Sequence, residues 1–279
     1  MNRIKIVTDS SADLLTLEGV AFAVAPMKVI TATREFTDDA SLNTAEQLAF
    51  FDTYKGQSKS SCPNVSDWLD AFGNAEEIFC ITITSGLSGS YNSACTAKEL
   101  YESEHKGRRV FVLDSLSAGP EVTLLVDELQ ACVLSGMSFD AICARISAYV
   151  TRTDLVFMLK SLKNFANNGR VSPAVAKIAG ILGICIVGKA SDEGTLEPTH
   201  KCRGEARSLE TLVADMETYG YDGGRVRIGH CRNEEAAGQI RDVLLEKYPH
   251  ATVLIHELRG LCSFYAEEGG VLVGFEKRE

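Results

Sequence analysis

The chain has 279 residues, 45% of them hydrophobic and 8% aromatic, enough to bury a substantial core and of a size that suggests about two domains. Its 38 acidic against 28 basic residues leave a net charge of −10, which excludes a nucleic-acid surface, because phosphate neutralisation needs a basic face, and argues equally against acidic partners. The longest charge-free apolar run, 178–188, falls well short of the roughly 20 residues that span a bilayer, so stable membrane insertion is not expected.

At the start, Met1-Asn-Arg-Ile-Lys5 runs directly into a strand-like segment with no targeting signal, so the expected location is the cytoplasm. The nine cysteines fit that compartment. Their number is odd, none form a C-x-x-C pair, and Cys80, Cys132, Cys143 and Cys185 sit in apolar stretches, as small buried hydrophobes do. His200-Lys-Cys202 and His230-Cys231 are the only His/Cys neighbours, and without a second matching pair no metal is expected.

In the first half, apolar runs at 4–8, 78–84 and 110–113 read as strands, each followed by a polar turn and a helical stretch. That alternation predicts an open, mostly parallel sheet covered by helices. Three strands end in hydroxyls or carboxylates: Asp9-Ser-Ser11, Thr84-Ser85 with Ser88, and Asp114-Ser115. In such sheets the ligand crevice lies at the carboxyl ends of the strands, so these turns are expected to converge on one site.

The middle turn, Ser85-Gly-Leu-Ser-Gly-Ser90, leads into a helix at 91–100. Helix N-terminal N–H groups lack internal partners and favour negative charge, so this junction reads either as an anion cradle or as an ordinary N-cap served by Ser88 or Ser90. Upstream, Ser58-Lys-Ser-Ser-Cys-Pro-Asn-Val65 reads as a turn fixed by Pro63, able to present a hydroxyl. A nucleophile elbow is not matched, because Gly89 directly follows Ser88 and position 90 is serine. No phosphate-binding glycine loop is present, so nucleotide binding is not expected.

A helical pattern at 139–150 ends near Thr151-Arg-Thr153, dividing the chain into domains 1–152 and 153–279. In the second, Pro173 opens a short helix, strands are expected at 184–187, 226–229, 252–256 and 271–275, and helices at 203–219 and 234–248. This rhythm predicts an α+β domain. The glycine- and alanine-rich stretch 174–183 suits packing against a slender chain.

Ile6-Val-Thr-Asp-Ser-Ser-Ala-Asp13, Ser60-Ser-Cys-Pro63, Ser85-Gly-Leu-Ser-Gly-Ser-Tyr91, Asn168-Gly-Arg-Val-Ser172, and the segment from Lys189 to Pro198 with Lys201-Cys-Arg203 occur in order along nearly the whole chain. In this the sequence resembles the DegV family of fatty-acid-binding proteins. The resemblance implies a two-domain α/β fold of that type, one long-chain fatty acid as ligand, and no catalysis or cofactor of its own. It assigns the carboxylate to Ser60 and to Ser88 with the backbone of Gly89. Ser61, Ser115 and Tyr265 are further ligand-binding candidates. It also implies presentation of the acid to an ATP-dependent, DhaK-like fatty acid kinase, with Arg170 on the docking face; read from the residues alone, Arg170 is an exposed arginine after a glycine C-cap.

One departure stands out. The family's His-x-Gly-Pro-Gly before the last strand is replaced by Tyr265-Ala-Glu-Glu-Gly269. Tyr265 can donate a hydroxyl hydrogen bond, but Glu267 and Glu268 would bring negative charge towards an anion. Either that corner turns away or the head group is not a free carboxylate. The alternative from a different class is an enzyme acting on a small anionic metabolite, with Asp9, Asp114 and Ser88 as the chemical groups. It requires titratable residues converging in the crevice, whereas a carrier requires an apolar cavity with few polar groups.

Overall fold

The computed structural model describes residues 4–172, 175 and 183–278. The helix expected at Pro173 and nearly all of the stretch 174–183 lie outside these residues.

The first half runs through β1 (Ile4–Asp9), β2 (Ala21–Ala25), β3 (Lys28–Thr31), β4 (Glu35–Thr37), α1 (Thr44–Thr53), β5 (Ser58–Ser61) and α2 (Val65–Phe72). It continues with β6 (Glu77–Thr82), α3 (Ser90–Glu104), β7 (Arg109–Asp114), α4 (Pro120–Leu134) and α5 (Phe139–Tyr149). Strands in the order β2-β1-β6-β7 form a parallel sheet. Helices cover both its faces, which is why Ile6, Val7, Ile78, Phe79, Cys80 and Ile81 read as unbroken apolar runs rather than alternating ones. This is the open parallel sheet expected from the sequence.

The second half contains β8 (Thr153–Leu159), α6 (Lys163–Asn167), β9 (Ile184–Ala190), β10 (Leu196–Arg203), α7 (Glu205–Thr218), β11 (Arg225–His230), α8 (Glu234–Lys247), β12 (Thr252–Glu257), α9 (Gly260–Ala266) and β13 (Val271–Glu276). Its sheet, in the order β10-β9-β8-β13-β11-β12, is antiparallel except for the pair β11 and β12. An α+β arrangement is therefore observed.

Helix α4 joins the two sheets. One side, through Val122, Leu125, Val126 and Leu129, packs with Ile6, Phe79 and Ile81 of the parallel sheet. Its N-terminus rests on the second sheet, where a Cβ added at Gly274 would lie 2.5 Å from the Glu121 amide nitrogen. Arg227 then clamps Asp127 of the same helix through two hydrogen bonds of 2.8 and 2.7 Å.

The hydroxyl loop expected at 58–65 departs from the sequence reading. Residues 58–61 form β5, which pairs with β3 so that Ser60 stands opposite Val29 in the small antiparallel sheet β4-β3-β5. Local pattern does not reveal this strand, because its pairing partner lies some thirty residues away and its own residues are Ser-Lys-Ser-Ser.

Candidate functional site

The three strand-end turns of the parallel sheet do meet, and two carboxylates, Asp9 and Asp114, hold them. Asp9 accepts hydrogen bonds from Ser11 N–H (3.2 Å) and Ser11 Oγ (2.5 Å) on one oxygen, and from Ile83 N–H (2.9 Å) and Ser90 Oγ (2.6 Å) on the other. Burial pushes this carboxyl above its ordinary value, while the four donors oppose the shift. Asp114 binds the neighbouring turn in the same way, accepting from Ser85 N–H (3.0 Å) and Leu116 N–H (3.1 Å). With Ser90 committed to Asp9, α3 begins at Gly89 with no side-chain cap. Ser88 Oγ sits 3.3 Å from Ser90 N–H. The junction is thus only partly capped by its own serines, and the positive end of the helix dipole lies at the turn.

The tip of the β9–β10 hairpin lies across this turn. A Cβ added at Gly86 would lie 2.5 Å from the Glu193 carbonyl oxygen, and one at Gly194, where φ is +70°, would strike the Thr84 hydroxyl and lie 2.9 Å from the Leu116 carbonyl. Gly86 of Ser85-Gly-Leu-Ser-Gly-Ser90 is therefore placed as much by close approach of the hairpin as by the turn itself. Gly194→Ala is expected to lower stability by about 2 kcal/mol or more, from the left-handed backbone and the contact together. A urea midpoint unchanged from the parent would contradict this clasp.

Beneath the hairpin, between the turns, β8 and α9, lies a cavity of about 790 Å³ of empty space including its mouth. Its wall is largely apolar, with Met27, Ile83, Leu155, Phe157, Leu159 and Leu272 among the lining side chains. Ser60, Ser88, Arg170 and Tyr265 also line it, and Ser60 and Arg170 are each linked to Tyr265. Ser60 Oγ and the Tyr265 hydroxyl are 2.6 Å apart. The Arg170 guanidinium lies 5.6 Å from the centre of the Tyr265 ring and donates to the carbonyls of Leu87 (3.0 Å) and Asn168 (2.9 Å). Burial raises the Tyr265 phenol above its ordinary value, while the Ser60 hydroxyl and Arg170 pull it back. Three neutral hydroxyls, an arginine and a nearby helix start make an anion site opening on apolar walls.

Of the candidates named from sequence, the fold brings Ser60, Ser88, Tyr265 and Arg170 together. It places three elsewhere. Ser61, one residue along β5, points to the exposed side and donates to the Cys62 carbonyl at 3.2 Å. Ser115 is buried in a turn, exchanging hydrogen bonds with the backbone of Ser117, and Ser117 is the one that reaches the cavity wall. Gly89 is the N-cap of α3 and packs towards Cys62 rather than lining the cavity. Arg170 follows Gly169 at φ +71°, as a helix C-cap predicts, but it is half-buried and folded back over the ring instead of standing exposed.

The acidic corner turns away. Tyr265 lies on α9, a short buried helix that the sequence reading did not anticipate, and after Ala266, which still lines the cavity, Glu267 and Glu268 do not. Glu267 accepts from Asn164 N–H at 3.1 Å at the start of α6, and Glu268 is exposed to solvent. Tyr265 thus contributes its hydroxyl without bringing the two carboxylates.

Sequence reasoning missed Phe165, whose ring lies 4.7 Å from that of Tyr265, and Asn168 as a support, which accepts from Ser60 N–H at 3.0 Å. It also missed the whole of β8; the apolar run 155–159 was the available signal for a buried strand. For the enzyme alternative, neither Asp9 nor Asp114 lines the cavity, and the oxygens that would do chemistry hold backbone and serine donors. Among the described residues, no group of three or more His, Cys, Asp or Glu side chains is placed to hold a metal, and no helix is long and apolar enough to cross a membrane.

The profile of the DegV family, described as uncharacterised proteins, matches residues 3–278. A DegV domain-containing protein of Streptococcus pneumoniae is 41% identical over 276 residues, 98% of each chain. A DegV family protein from Eubacterium eligens, solved loaded with heptadecanoic acid, is similar with a TM-score of 0.96 at 41% identity, covering 99% of this chain and 100% of that one. The Streptococcus pneumoniae fatty acid kinase B3 protein, solved loaded with linoleic acid, is similar with a TM-score of 0.97 at 40% identity, covering 99% of each chain. With the family profile matching residues 3–278 and a relative 41% identical over 98% of each chain, the chain belongs to the DegV family.

Proposed function

We propose that this protein is a cytoplasmic carrier that binds one long-chain fatty acid and presents its carboxylate to a DhaK-like fatty acid kinase, without catalysing a reaction or using a cofactor itself. The observation that carries this reading is the apolar cavity whose lining includes Ser88 beside the linked Ser60, Tyr265 and Arg170. Relatives at 40 and 41% identity were solved with heptadecanoic and linoleic acid, and one of them is a protein of fatty acid kinase. The carboxylate sits at the hydroxyl cluster, with residues 1–152 supplying Ser60 and Ser88 and residues 153–279 supplying Arg170 and Tyr265. Arg170, half-buried beside Leu87, contributes to the face that meets the kinase.

The hydrocarbon chain supplies most of the affinity, at about 0.8 kcal/mol per buried CH₂, and the head group is a smaller, orienting contribution. Ser88→Ala is therefore expected to weaken fatty acid binding by roughly tenfold, the value of one hydrogen bond to a charged group, while leaving the protein able to bind. Equal affinity and unchanged coupling to a kinase would show that Ser88 does not touch the head group.

The direct test is mass spectrometry of freshly purified protein, native and then denatured with organic extraction. A stoichiometric fatty acid is expected. A ligand-free mass that stays unchanged after incubation with a panel of fatty acids would overturn the carrier reading.

A further inference from the structure

The cavity runs between two hydrophobic clusters. One contains Met27, Ile83, Leu261 and Tyr265, on the side of the head-group residues. The other, built on the second sheet, contains Phe157, Leu159, Ile186 and Cys262. Strand alternation directs Leu155, Phe157 and Leu159 of β8 to the cavity, while Val156 and Met158 enter the core on the opposite face.

The neighbouring strand β9 changes size along the same face. Ile186 pairs with Leu159 and Gly188 pairs with Phe157, and Ala190 follows by alternation. At Gly188 the sheet offers no side chain at all, and the Phe157 ring lies down over that gap. A Cβ added at Gly188 would be 2.5 Å from Phe157 Cζ and 2.8 Å from Cε2. The ring is 3% exposed and forms part of the cavity wall. A glycine inside a strand weakens it, so a close approach of another group is the physical reason to find one there.

We propose that Phe157, seated on Gly188, is the residue that sets how long an acyl chain the cavity accepts. The ring is the large planar group on the second sheet's side of the cavity, in a hydrophobic cluster other than the one that contains Tyr265. Its height above the sheet is fixed by the absence of a side chain at Gly188. A smaller side chain at 157 opens space along the floor for additional methylenes; a larger one, or a methyl beneath the ring, removes it. This inference rests on the carrier reading and adds the determinant of its ligand range.

The test compares the parent with Phe157→Leu and Phe157→Trp, each first shown to unfold cooperatively, in competition binding with saturated fatty acids of increasing length. Phe157→Leu is expected to move the optimum to longer chains, with a preference gained of about fourfold for each methylene that enters the vacated space. Phe157→Trp is expected to move it to shorter ones. Gly188→Ala is expected to act like the tryptophan by lifting the ring, but its methyl also meets the Glu197 carbonyl, so the two Phe157 variants decide. Length profiles of both folded variants that superimpose on the parent's would overturn the proposal while leaving the carrier reading intact. A parent that binds no fatty acid would remove both.

Discussion

Replacing Asp9 with alanine is expected to cost at least about 3 kcal/mol of folding stability, since each buried donor left without an acceptor costs about 1–3 kcal/mol. Four hydrogen bonds converge on this carboxylate, from two groups of Ser11 and from Ile83 and Ser90. The side chain is fully buried, so water cannot take over from the lost oxygens. The damage reaches the site directly, because Ser90 opens α3 and Ile83 lines the cavity. Asp9→Asn is expected to fall between parent and alanine: one oxygen stays an acceptor, while the amide presents a donor to groups that are donors. Urea titration of the three proteins, with bound fatty acid measured after purification, checks both effects. An Asp9→Ala variant within about 1 kcal/mol of the parent would mean that the turns are held together by something other than this carboxylate.

Stability is expected to fall as pH rises from about 6.5 to 8, which is the reverse of ordinary carboxylate behaviour. Burial pushes the Asp13 carboxyl up to about 8, with the Arg259 amide opposing and the Asp38 charge adding to the shift. Burial likewise pushes Glu121 up to about 7 against hydrogen bonds from Ser117 and Thr153. In the unfolded chain both groups ionise near pH 4. Between pH 4 and 8 the folded protein therefore holds protons that the unfolded chain releases. The contribution is fully present below about pH 4 and is gone above the folded values.

His256 opposes this in part of the range. Burial first, then the charges of Arg227 and His230, lowers it to about 4. It stays neutral when folded and becomes protonated on unfolding below about pH 6.5, which favours the folded state as pH rises towards 6.5. Above that value the opposition of His256 is gone, and a loss of about 2 kcal/mol by pH 8 from Asp13 and Glu121 follows from roughly 1.4 kcal/mol per proton and pH unit. Asp13→Asn keeps an oxygen for the Arg259 amide, now bonded at 2.8 Å, and is expected to flatten most of the slope. Urea denaturation at pH 6.5, 7.3 and 8 measures it; a parent whose stability rises over that range would contradict the buried protonated state of Asp13.

The parallel sheet and the turns at its carboxyl edge were legible from residue order alone. Strands buried on both faces are written as continuous apolar runs, and β1, β6 and β7 end where Asp9, Thr82 and Asp114 interrupt them. Helix starts were legible for a similarly local reason: Asn64 and Asp67 form a capping box within a single turn of α2.

What the sequence did not disclose depends on partners far along the chain. Helix α9 is seven residues long, too short for a periodic signal, and its first turn is held by Asp38, which accepts from Leu261 N–H at 2.8 Å across 223 positions. That docking is what brings Tyr265 to Ser60 and sends Glu267 to α6. Ser60 and Ser61 are equivalent in local sequence, yet a strand alternates its faces, so pairing with β3 selects one for the cavity and gives the other to solvent. The chemistry of the site is thus written in small motifs that the sequence supplies directly, whereas the cavity and the choice among neighbouring hydroxyls arise only when two sheets pack on α4, because burial and strand register are properties of the pairing and not of either segment.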